Sequence, residues 1–282
     1  MNKPSFDIIS PEWNNEQEAT LKLVLEIGDK FLTIIILNES LSRLLAIRQY
    51  HIDHSHERSN ADKILDLLSH DDLLQHHHYI TEVIYNYPES DLVPETAYDV
   101  SILRPLSSFV HGDTGKSLVL SEKIDYLNLY NIYRVPGAIH SAVQKQFSAG
   151  KYWHYYSLFL CRSGELEEGR NCIHLTLYPD RFILASFRGK DLLLINSYHY
   201  HTPEDVAYFA LAVCNEHDFE VSEVIVEIKG LINEQSALYT EIKKYFVDVR
   251  KGELPGTVDT GDLLVEYPDH YFSPILNLAL CV

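Results

Sequence analysis

The clearest pattern in the chain is strict alternation near its start. Leu21, Leu23 and Leu25 alternate with Lys22, Val24 and Glu26, a period of two that predicts a strand with one apolar face. Gly28-Asp29 reads as a tight turn, with Gly28 free to take a positive φ. The run Ile34-Ile35-Ile36-Leu37 is apolar on both faces, as an inner strand covered on both sides would be. A third strand is predicted over Leu44–Ile52. Ser59 then caps a helix whose stripe is Ala61, Ile64, Leu65 and Leu68. A fourth strand follows over Thr81–Tyr87. Residues 1–18 read as polar and irregular.

The pattern then recurs. Residues 173–186 again read strand, turn, strand, and Tyr198-His199 repeats the Tyr50-His51 of the third strand. Thr202 caps the next helix, with Pro203 at its first position and Asp205 at its third. Its stripe is Val206, Phe209, Ala210 and Val213. A strand over Ser222–Ile228 matches Thr81–Tyr87. Aligning Phe31 with Phe182 and Val83 with Val224 gives offsets that drift slowly, as loop-length changes between two copies would produce. Each copy continues with a helix (near Pro94 and near Asn233), a fifth strand (Leu127–Tyr133 and Tyr245–Arg250) and a closing helix (Pro136–Phe147 and Phe272–Cys281). Leu23, Ile35, Val83, Leu175, Leu184 and Val224 are the expected core. The predicted organisation is a first domain over 19–150, a linker over 151–169, whose stretch Cys161–Gly169 is polar with a glycine at each end of an acidic run, and a second domain over 170–282.

The fold class is therefore α/β, with two tandem units of order β-β-β-α-β-α-β-α. This is the order of the ribonuclease-H-like unit, and two in tandem resemble the actin-like ATPase superfamily. A narrower resemblance lies in Asp91–Glu95, Asn131–Pro136, Tyr152-Trp153-His154-Tyr155 and Asp269-His270-Tyr271-Phe272. Together they resemble a bacterial family of unknown function with an actin-like ATPase fold, over nearly all of Thr20–Val282. The resemblance implies a fold and brings no activity with it.

Composition narrows the function classes. The net charge is −18 and no basic run occurs, so nucleic-acid binding, which needs Lys and Arg to replace phosphate counterions, is not expected. No stretch reaches the ~18 apolar residues of a membrane span, and the first ten residues lack a signal-peptide core. A cytoplasmic chain is expected. Cys161, Cys172, Cys214 and Cys281 form no Cys-x-x-Cys pair and read as buried, reduced thiols.

The superfamily resemblance supplies the sharpest chemical test. In such ATPases each first hairpin carries Asp-x-Gly, whose acid holds a metal or positions water and whose glycine lets backbone N–H groups approach phosphate. Here the first hairpin offers Glu26-Ile27-Gly28, one methylene too long. The second offers Tyr178-Pro179-Asp180-Arg181, with Pro179 removing an N–H and Tyr178 standing where the second acid would be. The glycine pair of the adenosine loop is reduced to Gly230. If a nucleotide binds between the domains, Glu26, Gly28, Asp180 and Gly230 are its candidate contacts.

Two other motifs carry less. Residues 111–117 end like a P-loop, but the first required glycine is Val110, and Lys116–Leu120 reads as strand or loop where a helix is needed. His51, Asp53, His54 and His56 have metal-like spacing, and His76–His78 form a triplet, but no second cluster of acids or cysteines supports them. No metal, cofactor or catalytic residue is expected. The expected protein is a non-catalytic actin-like scaffold, adaptor or regulator with an unidentified protein partner; the alternative is a nucleotide-binding ATPase or kinase-like protein.

Overall fold

The computed structural model describes residues 3–15, 20–52, 58–75, 79–113, 115–161 and 169–281. The chain divides into two units. The first runs to Cys161 and takes in Gly256–Leu263; the second runs to Pro255 and takes in Leu264–Cys281.

In the first unit, β1 (Phe6–Ile9), β2 (Leu21–Gly28), β3 (Phe31–Asn38) and β4 (Leu44–His51) are followed by α1 (Asn60–His70) and β5 (Tyr79–Asn86). Next come β6 (Ser90–Pro94), α2 (Leu103–His111), β7 (Ser117–Ile124) and β8 (Leu129–Pro136). The unit continues with α3 (Gly137–Gln146), β9 (Lys151–His154) and α4 (Tyr155–Cys161). Its main sheet has the order β1-β4-β3-β2-β5-β9. All eight residues of β2 are buried, because it is an inner strand covered on both faces. Leu23, Leu25, Ile34, Val83 and Tyr85 pack on one face with Ile64 and Leu68 of α1 and Ile139 of α3. The Ser59 hydroxyl accepts from Asp62 N, starting α1 where the sequence placed it. Asp259 O accepts from Leu44 N, so the distant segment Gly256–Leu263 borders β4.

In the second unit, β10 (Asn171–Leu177), β11 (Arg181–Arg188) and β12 (Asp191–His199) lead into α5 (Pro203–Glu216) and β13 (Ile225–Gly230). These are followed by α6 (Ala237–Tyr245), β14 (Asp248–Lys251) and α7 (Asp269–Ala279). The sheet order is β12-β11-β10-β13-β14. Thr202 and Asp205 form the expected capping box at α5. Leu175, Leu184, Val224 and Ile228 pack with Val206, Ala210 and Ile242. The core residues expected from the sequence are all buried.

Several sequence expectations are corrected. Residues 6–9 form an edge strand; Asp7 pairs in register with Arg48 of β4, whose guanidinium also holds Asp71 and Asp72. A salt-bridged edge of four residues carries too little hydrophobic pattern to be read locally. The helix expected near Pro94 begins only at Leu103, as α2; Pro94 itself ends β6, and Leu127–Tyr133 lies mostly in β8. Both belong to a separate three-stranded sheet, β6-β8-β7, inserted between β5 and α3. The first unit's true fifth strand is β9, parallel to β5, so Lys151–Cys161 is strand and helix where a linker was expected. Without the insertion and the edge strand β1, both units read β-β-β-α-β-α-β-α.

The register of the repeat also differs from its alignment by residue identity. Ile27 pairs with Leu32, and Leu177 pairs with Phe182. Both hairpins have two-residue loops, so Phe182 is equivalent to Leu32, and Arg181 to Phe31. Val83 pairs with Leu25, and Ile228 with Leu175, so the equivalent of Val83 is Ile228 rather than Val224. A one-residue slip exchanges the faces of a strand, so the correction changes which side chains are comparable.

Candidate functional site

With that register, Glu26 is equivalent to Thr176 and Gly28 to Tyr178. The second hairpin thus has tyrosine in the glycine position and threonine in the acid position, which corrects the expectation that Tyr178 stands in place of the acid.

The two first turns differ in what fills them. Gly28 does not have a positive φ. Its missing side chain matters for another reason: a Cβ there would lie 2.3 Å from the Phe31 ring, which occupies that space. Glu26 is buried, and its carboxylate accepts from Asn86 Nδ2 at 2.6 Å, tying it to the end of β5. In the second hairpin, Tyr178 N donates to Arg181 O at 2.9 Å, and Pro179 has no N–H. The Arg181 guanidinium lies 4.8 Å from the centre of the Tyr178 ring. Asp180 O accepts from Tyr200 N and from the His199 ring. A cradle needs several inward backbone N–H groups and little side chain, and the second turn has one N–H fewer, at Pro179.

Gly230, the remaining candidate contact, answers to a backbone demand. Its φ is +87°, and an added Cβ would lie 2.3 Å from Leu177 O, the carbonyl that accepts from Leu231 N. Gly230→Ala is expected to cost at least about 2 kcal/mol, from the left-handed backbone and the collision together. Chemical denaturation checks this; an unchanged midpoint would show that β10 and β13 do not approach so closely. Glu26 and Gly28 belong to the first unit, and Asp180 and Gly230 to the second.

The motifs resembling a P-loop and a metal cluster resolve differently. Lys116 precedes β7, so no helix opens after the glycine-containing turn. His51 Nε2 donates to Gln49. Asp53, His54, His56, the His76–His78 triplet and Thr114 lie outside the described residues. Among the described residues, no three His, Cys, Asp or Glu side chains gather as a metal site.

The chemistry that the tertiary structure does gather lies on the opposite face of each sheet from the helix-packed core. In the first unit Glu82 is fully buried and accepts from Lys22 Nζ at 2.7 Å and Trp153 Nε1 at 2.8 Å. Its equivalent is Glu227, since Glu82 pairs with Val24 and Glu227 with His174. Glu227 accepts from His174 Nδ1 at 2.5 Å and from Lys229 Nζ at 2.8 Å. A proton on Nδ1 leaves Nε2 as the acceptor of the ring, and Nε2 faces Cys172 Sγ at 3.4 Å. The result is a thiol–imidazole–carboxylate chain on one sheet face, built because residues two apart on β10 share a face and β13 lies beside it.

A second pair of equivalents holds each unit together. His154 Nε2 donates to Tyr87 O at 3.0 Å, and His270 Nε2 donates to Ile232 O at 2.8 Å. Tyr87 and Ile232 occupy the same place after β5 and β13. The His-Tyr steps at 154–155 and 270–271 are the sequence trace of this repeated lock.

Burial alone would push the Glu227 carboxyl up. The His174 hydrogen bond and the Lys229 ammonium outweigh burial and hold it at about 2, against an ordinary 4.5. The folded value is below the unfolded one, so this carboxylate stabilises the fold above pH 4.5, and that contribution is lost as pH falls from 4.5 towards 2. Acid titration of stability should therefore be shallower in Glu227→Gln than in the wild type within that window. Parallel curves would contradict the pairing.

A family model described as a protein of unknown function, DUF3822, matches residues 10–249. No curated protein matches the chain. Among solved structures, a Bacteroides thetaiotaomicron VPI-5482 protein with an actin-like ATPase fold and unknown function is similar over 97% of this chain and 100% of its own. That similarity has a TM-score of 0.79 at 13% identity. The PilM–PilN type IV pilus biogenesis complex is similar over 92% of this chain and 97% of the matched chain, with a TM-score of 0.60 at 11% identity. The chain has the actin-like ATPase fold. At these identities the likeness concerns fold alone.

Proposed function

This chain belongs to the DUF3822 family of unknown function, and from that premise we propose that it is a non-catalytic actin-fold protein that acts by binding a protein partner. The observation that carries the reading is the state of the two first turns: the Phe31 ring fills the space beside Gly28, and Tyr178-Pro179 replaces the second glycine turn. A fold kept while its phosphate cradles are altered fits a scaffold, adaptor or regulator. The PilM–PilN complex supports this reading as a case of a similar fold within a protein complex. The net charge of −18 favours a partner with a basic face and disfavours nucleic acid. Among the described residues no helix is long and apolar enough to cross a membrane, and the reading places the protein in the cytoplasm.

Nucleotide binding is the direct test. A ligand at a hundred times its dissociation constant adds about 2.7 kcal/mol to the stability of the state that binds it. Millimolar ATP with magnesium is expected to leave the melting temperature unchanged. A reproducible magnesium-dependent rise would replace this reading with a nucleotide-binding protein that uses Glu26, Gly28, Asp180 and Gly230.

A further inference from the structure

We propose that Cys172 is a hydroperoxide-reactive thiol, with His174 as its proton acceptor and Glu227 as the residue that positions His174. The geometry is that of an activated nucleophile: a thiol within reach of a base, and the base held by a third group. Cys172 Sγ lies 3.4 Å from His174 Nε2, and His174 Nδ1 lies 2.5 Å from Glu227 Oε2. Lys229 adds a positive charge at 2.8 Å from the same carboxylate.

The internal repeat sharpens the assignment. The first unit keeps the equivalent glutamate, Glu82, but satisfies it with Lys22. Lys22 and Val24 are the equivalents of Cys172 and His174. A buried carboxylate in this register is therefore stable with a simple ammonium partner, and the thiol–imidazole pair is an addition of the second unit.

Access selects the reagent. Cys172 is 8% exposed and His174 7%, burial that excludes bulky reagents and leaves a small one such as hydrogen peroxide. The cluster meets solvent on the side of Glu227 and Lys229, whose side chains are 24% and 18% exposed. With hydrogen peroxide, His174 Nε2 takes the thiol proton and the sulfur attacks one peroxide oxygen. The S–O bond forms as the O–O bond breaks, oxidising the sulfur to a sulfenic acid and reducing the peroxide. The leaving hydroxide takes the proton from the imidazolium and departs as water.

Cys214 is the internal control. It is also buried, on α5, and burial pushes its thiol up to about 11. The native protein is treated with hydrogen peroxide at pH 7, the peroxide is removed with catalase, the chain is then unfolded in a dimedone-type sulfenic-acid trap, and adducts are counted at each cysteine by mass spectrometry. Cys172 is expected to be trapped at least about tenfold faster than Cys214. His174→Gln is expected to slow Cys172 by about a hundredfold. Glu227→Gln preserves shape and an acceptor, and should slow Cys172 several-fold while leaving Cys214 unchanged. A purely structural role predicts the opposite, since loosening the sheet would raise both rates. Trapping of Cys172 no faster than Cys214 in the wild type overturns the proposal whether or not the variants fold, and so does an unchanged rate in Glu227→Gln.

Discussion

Lys22→Met is expected to destabilise the first unit by about 3–5 kcal/mol, the usual cost of leaving one member of a buried ion pair without its partner. Glu82 is fully buried, with Lys22 Nζ at 2.7 Å. Its remaining cation, Lys151, is 3.6 Å away on a side chain 67% exposed, where water screens it. The Trp153 indole still donates, but one neutral hydrogen bond does not offset a desolvated carboxylate. Adding Glu82→Gln removes the orphaned charge while keeping an acceptor for Trp153, and should recover at least about 1 kcal/mol. Both tryptophans, Trp13 and Trp153, lie in the first unit. Indole fluorescence during urea unfolding therefore reads this unit's transition. A shift below about 0.5 kcal/mol in Lys22→Met, the size of an ordinary surface change, would mean that the pair is solvated.

Leu175→Ala should cost the second unit about 2–5 kcal/mol, the range for deleting a fully buried leucine side chain. Leu175 is fully buried on β10, opposite Leu184 of β11 and Ile228 of β13. Its face packs against α5 and α6, while Cys172, His174 and Thr176 point the other way. The second unit has no tryptophan, so amide hydrogen exchange in β10 and β13 is the suitable measurement. Near-wild-type protection would reverse the assignment of faces on which the thiol cluster also depends.

Elements governed by neighbours along the chain were legible. The alternation of β2, the capping box at Thr202 and the helix stripes all depend on contacts within one or two turns. The repeat was legible as an order of elements. Its register was not: Phe31 and Phe182 match by residue type, but the hairpin pairing equates Leu32 with Phe182. The β6-β8-β7 insertion failed for a related reason. A strand pattern does not say which sheet the strand joins, so the sequence alone does not distinguish β8 from β9 as the fifth strand of the main sheet.

The candidate site divides in the same way. The sequence by itself determined that the phosphate turns are altered, because Pro179 cannot donate an N–H in any fold and Glu26 is longer than aspartate. It also placed Cys172 and His174 two residues apart, hence on one face if the segment is a strand. Only the tertiary structure decided that the Phe31 ring fills the space beside Gly28, that Gly230 answers to the Leu177 carbonyl, and that Glu227 joins His174. Those contacts cross between strands; the last joins residues 53 apart through the parallel pairing of β10 with β13. Side-chain chemistry is written locally, whereas the distance between two groups on neighbouring strands depends on register, which the whole sheet fixes at once.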